Sequence, residues 1–325
     1  MAGPVVAHQT RVALGIESTW ATGVTPDRSI RVVSCNLARF VSKEAAEHML
    51  HSASSRNAAR RVLTEEGFGG PVVAEALYEG MGALYKAGFG SLATTGPSGG
   101  IYTHVYSIQL AAAPSLTLEQ IQYDAGAPGY RGLTGVGCMV DSFTIRGRVG
   151  KVVMIEAELM GKAGTDTTTT VTDTTTAPFT TTHSPVKFHK AGTITWNAVT
   201  LRVTGFTATI KQGLERRVAF GALTTAQPVG TRQSVTVQLE VEWDGATFDQ
   251  GLTDDTSAAF ALPFTDGSNQ FNLAAAAAVV TGISRPVSGN GIVKATISLV
   301  CFSDLSANEG LTLTVKNTQS SGIAV

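Results

Sequence analysis

The sequence is poor in charged residues and cysteine and has no long apolar run. Charged residues make up 15% of its 325 residues, against about 25% in an average soluble protein. The formal net charge is −1, so there is no overall positive field to attract nucleic acid. This composition is typical of proteins whose surface is partly covered by neighbouring subunits, and also of threonine- and glycine-rich β proteins.

The three cysteines, Cys35, Cys138 and Cys301, are too few and too far apart for a disulfide framework. Cys35 and Cys301 fall at apolar positions of predicted strands, so we expect buried free thiols made in a reducing compartment. The first residues lack the basic segment and apolar core of a secretory signal. The longest apolar run, 273–283, is too short to span a membrane. We therefore expect synthesis in the cytoplasm and no membrane insertion.

Sequence motifs for catalysis and metal binding are absent. The chain lacks a P-loop, a GxSxG turn, an HExxH motif and paired CxxC motifs. His48 and His51 form an HxxH pair, and His183 and His189 lie six residues apart, but neither pair has a third ligand at metal-site spacing. We predict a protein that is not an enzyme and has no cofactor or metal. An unrecognised hydrolase, with residues converging from distant loops, stays an alternative.

Alternating apolar and polar residues predict a mainly β fold. In 235–243 every second residue is apolar, with threonine, glutamine and glutamate between, as in a strand with one buried face. Burying five such side chains contributes about 10 kcal/mol, whereas ordering nine residues costs about 9–18 kcal/mol of backbone entropy. The strand therefore needs a sheet. Segments 153–159, 295–301 and 311–315 alternate similarly, and a phase shift at Gly205 predicts a β-bulge.

Helical signals are few, and one segment is of low complexity. Leu77, Met81 and Leu84 follow helical spacing, and we predict at most one short helix in each half. In 165–182, 12 of 18 residues are threonine, which favours an extended strap over a flexible coil. The predicted division is a first domain at 1–164, a threonine-rich linker at 165–184 and a second domain at 185–325.

Three pairs of segments occur in the same order in the two halves. Segment 29–40 resembles 200–210, segment 76–85 resembles 241–250, and segment 151–160 resembles 293–302. The offset between partners falls from 171 to 165 to 142 along the chain. This is the pattern of a duplicated domain with shorter loops in the second copy. Chance similarity between alternating strands is the alternative.

Three segments resemble phage tail tube proteins. GIESTWATGVTP at 15–26 is similar to the G-x-E-x-x-[YW]-x-T motif near the N-termini of that family. LYEGMGALYKAGFG at 77–90 is similar to the family's helix and following turn. IYTHVYSI at 101–108, followed by PSLTLE at 114–119, is similar to a Y-x-H-x-[FY] strand followed by P-S-L-T. The resemblance covers about half of the chain directly and reaches 185–317 through the repeat.

The resemblance implies a major tail tube protein of a long-tailed, siphovirus-like virion. It implies two tandem tail-tube-like β-sandwich or barrel domains, each with one short flanking helix, whose inner sheets join around a lumen. The commoner family members have one domain and form hexamers, so two domains per chain imply a trimeric ring with pseudo-sixfold symmetry. Stacked rings, assembled in the host cytoplasm, would deliver viral DNA without sequence-specific contact. The implied partners are further copies of the chain, the tape measure protein, the tail terminator and tail-tip proteins.

Two groups of residues are candidates for the surfaces of such a tube. A wall rich in threonine, glutamine and carboxylates would let DNA slide, whereas a basic wall would hold its phosphates. The lumen-lining candidates, on the polar sides of predicted strands, are Glu156, Glu158, Glu240 and Glu242. Ordinary carboxylates of the outer surface are the alternative.

In the family, a long loop between early strands reaches the adjacent ring. Segments 41–63 and 211–233 occupy that position in the two halves. The ring-stacking candidates are Lys43, Glu44, Glu47, Arg56, Arg60, Arg61, Arg216 and Arg217. A solvated loop is the simpler interpretation of the basic cluster at 56–61.

Two other classes of protein stay open. A tail terminator or the tube of an injection system shares the fold but generally has one domain. A β-sandwich adhesin or carbohydrate-binding module of a virion or cell surface would expose aromatic residues on one sheet face. Aromatic residues are only 7% of this chain and fall mostly at core positions, which favours the tube.

Overall fold

The computed structural model describes residues 11–30, 32–45, 61–109, 113–124, 129–171, 184–218, 222–243, 247–286, 293–302 and 310–323. These residues form strands, two α-helices and a 3-10 turn, so the predicted mainly β fold is confirmed. The helices are α1 (Gly82–Phe89) and α2 (Thr247–Thr253), and the 3-10 turn is Phe188–Lys190. The strands are β1 (Arg11–Ile16), β2 (Arg28–Ile30), β3 (Val32–Cys35), β4 (Ala38–Ala45), β5 (Arg61–Glu75), β6 (Gly90–Ser98), β7 (Ile101–Ile108), β8 (Leu116–Asp124), β9 (Gly129–Arg148), β10 (Met154–Gly161), β11 (Ala163–Val171), β12 (Ile194–Trp196), β13 (Val199–Leu201), β14 (Val203–Lys211), β15 (Leu214–Val218), β16 (Thr225–Gly230), β17 (Ser234–Glu242), β18 (Ser257–Asp266), β19 (Asn269–Ser284), β20 (Lys294–Phe302) and β21 (Thr312–Asn317).

The first half forms two antiparallel layers that share one long strand. The front sheet has the order β4–β5–β10–β9, with β3 beside β4 on the same edge of β5. The back sheet has the order β2–β1–β8–β9–β11. The first part of β9 pairs in the back sheet and its second part in the front sheet. Phe68 of β5 fills the space between the layers, where its ring lies against Gly135 and Gly164.

The second half has the same strand order. Its front sheet runs β14–β17–β20–β19, and its back sheet runs β13–β12–β18–β19–β21. The long strand β19 passes between the layers as β9 does. In each half the helix follows the second strand of the front sheet, β5 or β17.

The two front sheets join into one sheet of eight strands. Strand β9 of the first half pairs with β14 of the second, from Arg148 opposite Gly205 to Ser142 opposite Lys211. The order of the joined front sheet is therefore β4–β5–β10–β9–β14–β17–β20–β19. In the back layer, β7 of the first half pairs with β21 of the second, so the β6–β7 hairpin extends the second back sheet.

The alternating segments form strands in the predicted phase. In β17 the burial alternates, with Val235, Val237, Leu239 and Val241 buried. The pairing of β14 with β17 shifts register between Val203 and Gly205. The bulge predicted at Gly205 is therefore confirmed.

Helix α1 begins later than the apolar spacing predicts. Leu77, the first residue of that spacing, forms an isolated bridge with Pro185 and is held in an extended segment. Gly80 then adopts a φ of 80°, a left-handed conformation that glycine tolerates and a helix interior does not. The helix therefore starts only at Gly82.

The expected start of the linker, residue 165, falls inside a strand. Thr165 pairs with Thr134, and β11 continues to Val171 as the last strand of the first back sheet. Because threonine is β-branched, it suits a paired strand as well as an extended strap. Residues 172–183, the rest of the expected linker, lie outside the described residues.

The cysteines are free thiols in or beside the core. Cys138 and Cys301 are buried, and Cys35 is partly buried on β3. Burial raises the pKa of the Cys301 thiol to about 12 and also raises the pKa of Cys35. In the described part of the chain, neither helix is long and apolar enough to cross a membrane.

Candidate functional site

The joined front sheet has one apolar face and one polar face. A row of paired residues from Ile155 across to Leu299 is buried in the core. The neighbouring row, from Arg146 across to Gln238, points to the opposite side, because successive residues of a strand face opposite ways. The polar face is therefore continuous across both halves.

All four glutamates predicted from the sequence lie on this polar face. Glu156 and Glu158 are on β10, and Glu240 and Glu242 are on β17, each alternating with buried residues. Partial burial, followed by the charges of Glu156 and Asp141, raises the pKa of Glu158. Glu242 lies directly opposite Lys294 of β20, so the face carries both signs of charge.

Two arginines on the polar face were missed by the sequence reasoning. Arg146 Nη1 lies 3.8 Å from Glu156 Oε2, and Arg148 Nη2 lies 4.0 Å from Glu240 Oε2. The sequence of segment 142–148, SFTIRGR, contains the pattern that predicts where these arginines lie. Its apolar residues alternate with polar ones, which places both arginines on the polar side. The polar face therefore carries basic side chains beside the four predicted glutamates.

A cleft opens on the polar face where β9 meets β14. Its volume is about 390 Å³, and its lining includes Arg146, Arg148, Lys151 and Glu240. Gly205 also lines it, between Arg148 on one side and Glu240 on the other. The missing side chain at Gly205 leaves the hollow across which Arg148 reaches Glu240.

The joined front sheet has an open edge on each side. Within the described residues, β3 and β4 pair only with β5, and 280–284 of β19 pair only with β20. Val33 and Ser34 are exposed on one edge, and Thr281 and Ser284 on the other. Open sheet edges present unpaired backbone groups and accept a further strand.

Segment 211–233 contains β15 and β16, which pair as a hairpin that packs against the first half. The guanidinium of Arg216 lies 3.9 Å from the ring centroid of Phe40 and 4.0 Å from Glu65. The backbone N–H of Glu66 donates to Leu223 O over 2.9 Å. Burial lowers the pKa of Arg216. Its side chain therefore packs the hairpin against the first half of the same chain.

The other stacking candidates divide by position. Lys43 of β4 and Arg217 of β15 are exposed. Glu44 and Arg61 belong to the paired ends of β4 and β5. Glu47, Arg56 and Arg60 lie outside the described residues. The hairpin region also has exposed apolar residues, since Val218, Leu223 and Val229 are 47%, 47% and 45% exposed. The predicted ring-stacking residues are all charged and include none of these.

Glu17, in the first motif of the resemblance, is a buried carboxylate with four hydrogen-bond donors. It accepts bonds from Ser115 Oγ at 2.6 Å, Thr117 Oγ1 at 2.8 Å, Gly137 N at 2.9 Å and Ala21 N at 2.9 Å. These donors lie in β9, at the start of β8 and in the loop after β1. Glu17 therefore ties the end of β1 to the back sheet.

The third motif of the resemblance binds the C-terminal segment. His104 is fully buried, and its Nε2 lies 3.0 Å from both Asn317 Oδ1 and Gln319 O. Tyr106 donates its hydroxyl hydrogen to Gly322 O over 2.5 Å. The end of the second half is thus fastened to β7 of the first half. We call residues 317–322 the C-terminal clasp.

In the described residues, no three histidine, cysteine or acidic side chains come together as metal ligands. Open sheet edges and a continuous polar face are features of a structural protein that assembles through its strands. The family of phage tail tube proteins matches residues 7–301. Because the match spans most of the sequence, this chain belongs to that family. No curated protein sequence gives a significant match.

Membership of the family fixes the general role. Tail tube proteins are structural components of the phage tail, so this chain assembles with itself into a tube in the virion. The family is not known as a family of enzymes. All three segments of the resemblance lie within the matched residues.

Proposed function

We propose that three copies of this chain close into a pseudo-sixfold ring, and that stacked rings form the tube that delivers viral DNA. The observation that carries the proposal is the β9–β14 pairing inside one chain. It joins two front sheets of identical strand order edge to edge, with their polar faces on one side. Repeating that pairing between chains would use both open edges and close a barrel with no unpaired strand.

The two halves are proposed to be copies of one domain. Their front and back sheets share the same strand order, and their helices share the same place in that order. The resembling segments 151–160 and 293–302 fall on the matching strands β10 and β20. Because β11 continues to Val171 and pairs with β9 of the first half, we propose that the first copy extends beyond residue 164.

The internal pairing predicts the register between chains. Ile145 of β9 lies opposite Ala208 of β14. The counterpart of Ile145 is Ile283, because each pairs with an isoleucine of the following strand, Ile155 or Ile297. The counterpart of Ala208 is Cys35, because these two lie opposite the matching positions of β17 and β5. Cys35 of one chain should therefore face Ile283 of the next.

Oxidative cross-linking tests this register. In an Ile283→Cys variant, the new thiol would face the native Cys35 of the neighbour at a distance suited to a disulfide. Mild oxidation of assembled protein should give dimers and trimers on a non-reducing gel. Gly282→Cys is the matched control, because its side chain would point to the opposite face. Cross-linking that persists after Cys35→Ser, or none with Ile283→Cys in assembled tubes, would contradict the proposed register.

Electron microscopy of the purified protein tests the assembly itself. Threefold rings or hollow tubes are expected, and a persistent monomer or a sixfold ring of six chains would contradict the trimer. The polar face is proposed to line the lumen, where DNA passes transiently. The tape measure protein, tail terminator and tail-tip proteins are the proposed partners, and the host cytoplasm is the proposed place of assembly.

A further inference from the structure

The cleft at the β9–β14 junction is lined by positively charged side chains. In the proposed tube, DNA would pass along this face. Arg146, Arg148 and Lys151 line or border it, and the two arginine side chains are 52% and 73% exposed. Arginine binds phosphate oxygens through a planar set of donors that fits them in pairs. Left alone, such a cleft would retain DNA.

Each arginine has one carboxylate close to it. Glu156 lies 3.8 Å from Arg146, and Glu240 lies 4.0 Å from Arg148. Ion pairs this exposed contribute little to stability, so a stabilising role does not explain them. Their effect on the electrostatics of the cleft is larger, since together they cancel two of its three positive charges.

We propose that this cleft is a latent phosphate-binding site, whose affinity for DNA is kept low by Glu156 and Glu240. These carboxylates pair with the arginines that would otherwise bind DNA phosphates. The inference rests on the proposed function for its biological meaning, because the polar face must line the lumen. The cleft itself lies within one chain, so its binding properties do not depend on ring formation.

Within the described residues, the cleft has no counterpart at the other end of the front sheet. The position matching Arg146 is Ser284, and the position matching Glu156 is Ser298. A trimeric ring would therefore carry three such clefts, one at each junction inside a chain. The lumen would have a threefold pattern of charge within a sixfold arrangement of strands.

Binding of a short fluorescent DNA duplex to the unassembled chain tests the site. The double variant Glu156→Gln/Glu240→Gln should bind the duplex at least about tenfold more tightly than the natural chain at low salt. The gain should decline as salt is raised, as expected when arginines displace counterions from phosphates. Adding Arg146→Gln and Arg148→Gln to the double variant should remove the gain.

Glu158→Gln/Glu242→Gln is the matched control. It removes the same charge from the same face, and within the described residues neither glutamate forms an ion pair with Arg146 or Arg148. We expect less than about a twofold change in DNA binding from this control. Equal gains in both double variants would indicate general repulsion and overturn the proposal, as would no gain in either.

Two further measurements separate this inference from the proposed function. If the double variant fails to fold, Glu240→Gln alone should still give a smaller, salt-sensitive gain, and no gain there would overturn the proposal. Tubes of the double variant should protect bound DNA from nuclease. Tight binding by the free chain without protection in tubes would keep the cleft as a phosphate site and reject its place in the lumen.

Discussion

The two halves share a strand order but differ in how they end. Between α1 and β8 the first half inserts the β6–β7 hairpin, whereas in the second half β18 begins shortly after α2. The hairpin covers β21, the outermost strand of the second back sheet. Its counterpart in the first half, β11, pairs only with β9 in the described residues. The junction inside the chain is therefore closed in both layers.

Two halves in one chain would simplify assembly of the proposed ring. In the proposed ring, junctions between chains would be closed in the front sheet alone, because the described residues of the second half form no strands equivalent to β6 and β7 that could cover β11. Half of the junctions would thus form during folding, with the C-terminal clasp as an additional fastening. Only the junctions between chains, which are closed in one layer, would form by association.

Removing the C-terminal clasp should have the largest effect on the contact between the two halves. A chain ending at Lys316 loses five hydrogen bonds between the halves that are at least partly buried, including those of His104, Tyr106 and Tyr78. At about 1 kcal/mol each, unfolding free energy should fall by about 5 kcal/mol, and urea unfolding should separate into two transitions. The control Thr318→Ala, which loses one exposed bond to Glu79, should change stability by less than about 1 kcal/mol. A single unshifted transition in the truncated chain would refute the clasp.

The β-hairpin at the edge of the back sheet has a different connection in each half. In the first half, Glu17 holds that connection in place. Strands β1 and β2 are joined by a long loop tied down by the Glu17 carboxylate, whereas β12 and β13 are joined by the two-residue turn at Asn197 and Ala198. Glu17→Gln keeps the size but removes an acceptor oxygen and the charge. We expect a loss of about 2–3 kcal/mol in unfolding free energy, measured by urea denaturation. Exposed Glu215→Gln should have almost no effect, and an equal effect from both would reject the role of the buried carboxylate.

Local alternation predicted much of this fold, because a strand with one buried face records that face in its sequence. The phase of β17 and the bulge at Gly205 follow from such patterns. The pairing of β7 with β21 does not, since neither strand specifies a partner far along the chain. The packing of Arg216 on Phe40 does not follow either, because it is decided by how the hairpin folds back. The role of Arg148 likewise depends on a hollow that forms only when β9 and β14 meet.

A substitution in the tight turn of the second half should have the smallest effect. Asn197 and Ala198 both have positive φ, 50° and 59°, as a two-residue turn between paired strands requires. Alanine pays a steric cost there that glycine does not, so Ala198→Gly should raise unfolding free energy by about 0.5–1 kcal/mol, net of the added flexibility of the unfolded chain. Ala222→Gly, at an exposed residue outside the left-handed region, keeps only that flexibility and should lower stability slightly. If thermal melting shows both variants destabilised alike, strain in the turn is absent, and the two hairpin closures differ in length alone.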